Sequence, residues 1–220
     1  MRIAPLTGAA AAVLLLAACG SSPLEGKTGP EIVTAAIDAL EAAGAVHIAG
    51  SIDQDGEEGE VDLHLQGDDA TGTISLGGAE LELLRVDGTV YLKGSSDFWG
   101  TSGMPDEVAS MFEDQWVVMP DEAATEFDDF TLAGFVTELR DTDSPVKDDV
   151  RTDSVDGDDV VVVEQEDGDT MTVLDADNPY PLKATSEDSP DGVTFSRFGE
   201  EEEISAPDDA LDLAEMMGGA

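Results

Sequence analysis

The sequence is poor in the residues that build most reactive sites. Its 220 residues include one cysteine, two histidines and nine lysines or arginines, against 51 aspartates or glutamates. A single cysteine excludes a disulfide framework. A formal net charge of −42 excludes nucleic-acid binding, because the phosphates would repel the chain. The acids are scattered along the chain, which indicates a solvated surface and identifies no partner.

Long apolar runs are also scarce. The run at residues 9–18 is too short to span a bilayer as a permanent helix, but it suits the apolar part of a secretory signal peptide. It ends in Leu16-Ala17-Ala18-Cys19, which resembles a bacterial lipobox. We therefore expect cleavage before Cys19, acylation of the Cys19 thiol, and a protein anchored on the extracytoplasmic face of the cell membrane. The alternative is an ordinary signal peptide with an incidental cysteine.

The rest of the chain divides into three parts. Residues 19–29 are rich in Gly, Ser and Pro and predict a flexible tether between lipid and domain. Residues 30–206 are long enough for one domain with a substantial core. Residues 207–220 predict a loose acidic tail.

Three stretches show helical periodicity. Thr28 and Glu31 form a capping-box pattern, and Gly44 suits the end of the helix that follows. Residues 105–114 and 129–140 also place apolar side chains on one side at helical spacing.

Most of the remaining chain alternates apolar and polar residues, which predicts strands. The clearest hairpin has Asp87-Gly88 as its turn, which sets Leu83 opposite Leu92 and Glu82 opposite Lys93. Residues 203–204 are expected to close the sheet as a last short strand.

The hairpin register turns Arg85 towards the apolar face, opposite Val90. A buried arginine without a partner is costly, so Arg85 should meet a carboxylate or lie at the rim. A contact between Arg85 and a bound anion is a weaker option than an ordinary ion pair.

No catalytic, metal or cofactor site is predicted. His47 and His64 both fall on the polar side of their strands, which favours exposed histidines over a metal-binding or catalytic pair. No nucleophile–base motif of the common hydrolases is present, so we expect a protein that is not an enzyme.

The order of these elements predicts an α+β fold. A single antiparallel sheet of about 10–11 strands must curl, and its apolar face must be covered. The helices are the available cover, which gives a half-barrel with helices over the concave face.

Several small motifs then resemble actinobacterial lipoproteins of the LppX/LprG type. They are the lipobox, the helix that leads into residues 46–52, residues 85–93 followed by Phe98-Trp99, and residues 178–183 and 193–199. The resemblance covers most of residues 30–206. It implies the fold of LolA, the periplasmic lipoprotein carrier, and a cavity that binds acylated lipids or the acyl chains of lipoproteins. The extreme acidity of this chain differs from the pattern of the family and disfavours an anionic glycolipid as its ligand.

The first functional hypothesis is a membrane-anchored carrier whose hydrophobic ligand is an acyl chain of a lipid or lipoprotein. Its cavity should be lined by inward-facing sheet positions and by the apolar sides of the helices, namely Val46, Ile48, Leu63, Leu83, Val90, Leu92, Met111, Phe112, Trp116 and Phe135. The alternative is a sensor or scaffold of the cell envelope whose half-barrel is packed with side chains and which works with a transporter or sensor partner.

Overall fold

The computed structural model describes residues 22–54, 57–101, 106–141 and 144–213. The predicted signal peptide, Cys19 and the last residues of the predicted tail lie outside the described residues.

The described residues form five α-helices and twelve strands. The helices are α1 (Gly29–Ala43), α2 (Ser96–Thr101), α3 (Asp106–Phe112), α4 (Asp121–Ala124) and α5 (Leu132–Arg140), with a 3-10 segment at Thr125–Phe130. The strands are β1 (Ala45–Gln54), β2 (Glu57–Gln66), β3 (Asp69–Leu76), β4 (Ala79–Val86), β5 (Thr89–Gly94), β6 (Val117–Val118), β7 (Arg151–Val155), β8 (Asp158–Glu164), β9 (Thr170–Leu174), β10 (Pro181–Thr185), β11 (Val193–Ser196) and β12 (Leu211–Asp212).

All twelve strands belong to one open, curved sheet, so the predicted α+β architecture is confirmed. The strand order is β12-β6-β5-β4-β3-β2-β1-β11-β10-β9-β8-β7. Neighbouring strands are antiparallel except β12 and β6, which run parallel. The count exceeds the prediction because β6 and β12, of two residues each, were not among the predicted strands.

The register of the central hairpin is the predicted one. Leu83 lies opposite Leu92, and Glu82 lies opposite Lys93. The Lys93 ammonium donates to Glu82 Oε1 at 2.9 Å. Asp87 takes a φ of 51° and Gly88 a φ of 81°, the left-handed conformations that a tight two-residue turn needs. One face of β1–β5, which we call the apolar face, therefore carries Leu83 and Leu92, and the opposite polar face carries Glu82 and Lys93.

Helix α1 begins and ends where the sequence predicts. The Glu31 carboxylate accepts the Thr28 backbone N–H at 2.8 Å, and this hydrogen bond lowers the pKa of Glu31. Gly44 closes the helix with a φ of 76°, a conformation that glycine adopts without steric cost. Because of these two ends, the chain turns directly from α1 into β1.

The interior contains two hydrophobic clusters on the apolar side of the sheet. The larger joins β1–β5 and β11 to side chains of α1, α2, α3 and α5. The smaller packs Ile32 and Ala36 of α1 against Val161, Val163 and Val173 of β8 and β9. The helices thus cover the apolar face from β5 to β8, whereas the edge strand β7 is exposed.

The predicted tether is shorter than expected, because residues 22–28, here called the docked segment, are fastened to the domain. Leu24 is only 4% exposed and belongs to the smaller cluster. Its backbone N–H donates to Asp175 Oδ1 at 3.1 Å, and the Ser22 hydroxyl donates to the same carboxylate. A polar composition suggested flexibility here, but one buried leucine and one shared carboxylate hold the segment in place.

The end of the described chain also departs from the prediction. Residues 200–210, here called the strap, cross the polar face and form no strand at residues 203–204. The Glu202 backbone N–H donates to Gln66 Oε1 at 2.7 Å, and the Leu211 N–H donates to the Trp116 carbonyl at 2.8 Å. Leu213 is 6% exposed. The first residues of the predicted tail are therefore part of the domain.

Candidate functional site

Most of the residues proposed as cavity lining meet in the larger cluster. Seven of them are among its buried members, namely Val46, Ile48, Leu63, Leu83, Val90, Leu92 and Phe112. Phe135 is half-buried and packs against them, with its ring centroid 6.0 Å from that of Phe195. The sheet register and the helices bring these side chains together because all of them point to the covered side of the sheet.

These side chains pack against one another and do not border a void. Val46 and Val90 are 0% exposed, Leu83 and Leu92 are 1% exposed, and the least buried, Leu63, is 6% exposed. A cavity wide enough for an acyl chain would expose its lining to a space larger than a water molecule. Values this low describe a close-packed interior.

Two of the proposed lining residues lie elsewhere, and these predictions were wrong. Met111 is 61% exposed, because α3 turns Ala109 and Phe112 inward and leaves Met111 on its solvent side. Trp116 faces the opposite side of the sheet from the buried Val117, since successive side chains of a strand alternate. The Lys93 ammonium lies 5.9 Å from the centroid of the Trp116 ring.

Arg85 has the carboxylate partner that the sequence predicts. Its Nη1 lies 3.1 Å from Asp128 Oδ1 and donates to the Phe127 carbonyl at 3.3 Å. Its Nε donates to the Asp68 carbonyl at 3.2 Å. The chain itself thus supplies acceptors for Arg85, in place of the bound anion that was the weaker option.

The prediction that both histidines are exposed was wrong for His64. This residue is 3% exposed, and neither of its ring nitrogens has a hydrogen-bond partner. Its position on β2 was interpreted as solvent-facing, but the strap lies over this part of the polar face. The hydrogen bond from Arg197 lowers the pKa of Glu202, a residue of the strap. Glu202 is also close enough to His64 for a charge on the His64 ring to lower this pKa further.

His47 joins two residues in a chain of contacts that the sequence did not reveal. Its Nε2 is 2.9 Å from Asp62 Oδ1, and its Nδ1 is 3.3 Å from Ser196 Oγ. The three residues come from β1, β2 and β11, so their proximity depends on strand pairing over about 150 positions. A catalytic triad needs a buried carboxylate to orient the imidazole, whereas the Asp62 side chain is 67% exposed. We interpret the trio as a surface hydrogen-bond network.

Trp99 carries a second unpartnered polar group. It is 1% exposed, and its Nε1 has no hydrogen-bond partner. The indole packs against aromatic rings on both sides, with centroid distances of 4.9 Å to Phe98 and 5.6 Å to Phe112. No pattern in the sequence indicates that the Trp99 N–H is unpaired.

Two clefts of the described surface lie on the polar side of the sheet. One of about 570 Å³ runs across β1–β5 and is lined by Glu60, Asp62, Glu80, Glu82 and Lys93, among others. Another of about 470 Å³ lies between the polar face and the strap, beside Trp116. The hydrogen bond to Glu82 raises the pKa of Lys93, which keeps this lysine charged within an acidic surface. Such clefts attract cations and repel anionic groups.

Within residues 22–54, 57–101, 106–141 and 144–213, no three His, Cys, Asp or Glu side chains are grouped as metal ligands. Among the same residues, no helix is both long and apolar enough to cross a membrane.

No protein-family model matches the chain, and no curated protein is significantly similar to it. Its function is therefore argued from its own residues.

Proposed function

We propose that the chain is a membrane-anchored, non-enzymatic binding module of the cell envelope, with a half-barrel that is packed rather than open. A lipid on Cys19 would hold it at the extracytoplasmic face of the membrane. Its acidic polar face would engage an envelope partner, such as a transporter or sensor component, that presents positive charge. Complementary charge of this kind speeds association and excludes partners of the wrong sign.

The observation that carries this proposal is the low solvent exposure of the residues expected to line an acyl-chain cavity. Seven of the ten residues chosen as walls of an acyl-chain cavity are buried between 0% and 6%. They come from opposite sides of the expected cavity, from the sheet at Val90 and Leu92 and from a helix at Phe112. Side chains that already contact each other across the interior leave a ligand no room without a rearrangement. The close packing of this interior thus favours the binding module over the carrier of acyl chains.

A carrier of acyl chains is the second candidate, and Trp99 is the observation that favours it. A buried donor without an acceptor costs about 1–3 kcal/mol. The carbonyl oxygen of a lipid ester could accept the Trp99 N–H if α2 and α3 moved away from the sheet. The resemblance to LolA-like carriers, which covers the same helices and strands, points in the same direction.

Native mass spectrometry of the protein purified from its own membrane distinguishes the two candidates. The module should give the mass of the chain from Cys19 onwards with its acyl groups and no further lipid. A stoichiometric extra lipid, lost in a Val90→Trp variant, would favour the carrier. Cys19→Ser is the matched control for the anchor: it should abolish incorporation of a clickable fatty acid, and equal labelling of both proteins would contradict lipidation.

A further inference from the structure

The docked segment determines where the chain leaves the domain. Its first described residue, Ser22, is bound to the Asp175 carboxylate at the end of β9, and Leu24 fills a place among Val161, Val163 and Val173. Backbone hydrogen bonds continue the attachment: Gly29 donates to the Asp148 carbonyl at 3.2 Å. The segment is therefore fastened to the domain at Ser22 and Leu24 and, just after its last residue, at Gly29.

This attachment shortens the reach between lipid and domain. An extended chain advances at most about 3.6 Å per residue. A free tether from residue 19 to residue 29 could therefore hold the domain up to about 35 Å from the anchor. With Ser22 fixed, the link from Cys19 to the domain is limited to about 11 Å.

We propose that the end of the half-barrel that contains Ser22 and Asp175 rests against the outer surface of the membrane, so that the domain is held close and in one orientation. This inference rests on the acylation of Cys19 in the proposed function. The bilayer that holds the Cys19 lipid would contact this end of the half-barrel. Its position follows from Ser22, which is fixed to the domain only three residues after Cys19.

The charge of this end specifies the kind of bilayer. The Asp175 backbone N–H donates to the Asp159 carbonyl at 2.9 Å, which places the start of β8 beside Ser22. Asp156, Asp158 and Asp159 are all exposed there. An end that rests against the headgroups brings these carboxylates within the Debye length at physiological salt, about 8 Å, so the two would interact. We infer a surface of headgroups without net charge, since anionic headgroups would repel this end.

Neutron reflectometry of the acylated protein on a supported phosphatidylcholine bilayer measures the gap between headgroups and domain. The wild type should show a gap of no more than about 11 Å. Leu24→Asn removes the apolar anchor of the docked segment and should widen the gap by up to about 25 Å. Met111→Asn, at a 61% exposed position of α3 away from this end, is the matched control and should leave the gap unchanged. Adding phosphatidylserine should widen the wild-type gap or tilt the domain at low salt, and high salt should reverse the change.

A second variant keeps the proposal falsifiable if Leu24→Asn fails to fold. A flexible Gly/Ser linker of about ten residues inserted between Ser21 and Ser22 leaves every docked contact in place and should still widen the gap. A wide wild-type gap, or a gap that neither variant changes, would overturn the proposal. Mass spectrometry of the same protein shows whether Cys19 carries a lipid. It therefore distinguishes a failure of this proposal from a failure of the proposed function. If Cys19 carries no lipid, coupling its thiol to a maleimide lipid in the same bilayer repeats the measurement with an anchor at the same residue.

Discussion

The packing of the larger cluster can be tested at two buried positions of one hairpin, Leu83 on β4 and Val90 on β5. Leu83 is 1% exposed and Val90 is 0% exposed. In a close-packed interior, Leu83→Ala leaves a cavity and costs about 2–5 kcal/mol. Val90→Trp inserts a large ring where no space exists and costs about 1–3 kcal/mol. We therefore expect both the smaller and the larger side chain to destabilise the protein.

The expected shifts are large enough for urea unfolding followed by tryptophan fluorescence or circular dichroism. With a denaturant slope of about 2 kcal/mol/M, a loss of 3 kcal/mol lowers the midpoint by about 1.5 M. Val155→Ala is the control, because Val155 is 43% exposed and a change there should cost no more than about 0.5 kcal/mol.

An open cavity makes the opposite prediction for the larger side chain. A tryptophan at position 90 would then fill space that a ligand normally occupies, so the midpoint would stay constant or rise. If Val90→Trp leaves the midpoint within the range of the Val155→Ala control while Leu83→Ala lowers it, the interior is not packed as described. The reasoning behind the proposed module would then fail.

Three further predictions concern the two faces of the sheet and the strap. His64→Leu should stabilise the protein by about 1–3 kcal/mol, because it removes a buried ring whose two nitrogens lack hydrogen-bond partners. Thermal or urea unfolding measures this change, and a loss of stability would mean that His64 has a partner. Leu83→Asp should cost several kcal/mol and Glu82→Ala no more than about 1, and equal shifts would show that the register is wrong. The hydrogen bond from Arg197 lowers the pKa of Glu202, so its stabilising effect is present at neutral pH and is lost as the pH falls below the ordinary value of 4.5. The difference in melting temperature between wild type and Glu202→Gln should therefore disappear in acid, and a difference that persists there would rule out this ion pair as its cause.

Local patterns predicted the parts of the fold that depend on neighbouring residues. The capping residues and Gly44 fixed the ends of α1, and the Asp87-Gly88 turn fixed the register of β4 and β5. Strand alternation identified six buried side chains of the larger cluster, and helical spacing identified the seventh, Phe112. These predictions succeeded because helix ends, tight turns and strand alternation are determined within a few residues of sequence.

Contacts between distant segments explain the errors. His64 has the sequence environment of an exposed residue, and only the strap, more than a hundred positions later, covers it. Leu24 lies in a polar stretch, yet it is buried by β8 and β9. Met111 differs from the buried Phe112 by one position on α3, and only the placement of that helix decides which of the two faces the sheet.

The position of β1 has a consequence for how the chain folds. β1 pairs with β2 immediately after it in sequence, but its other neighbour is β11, where His47 lies opposite Ser196. Ser196 of β11 follows His47 of β1 by 149 positions, so the outer edge of β1 has no partner strand until that later part of the chain is available. An unpaired edge is a template for pairing with another chain. The first five strands form a local meander, and a half-sheet made of these strands alone would leave the outer edge of β1 open. Mutual repulsion between such acidic half-sheets would slow their aggregation until β11 arrives.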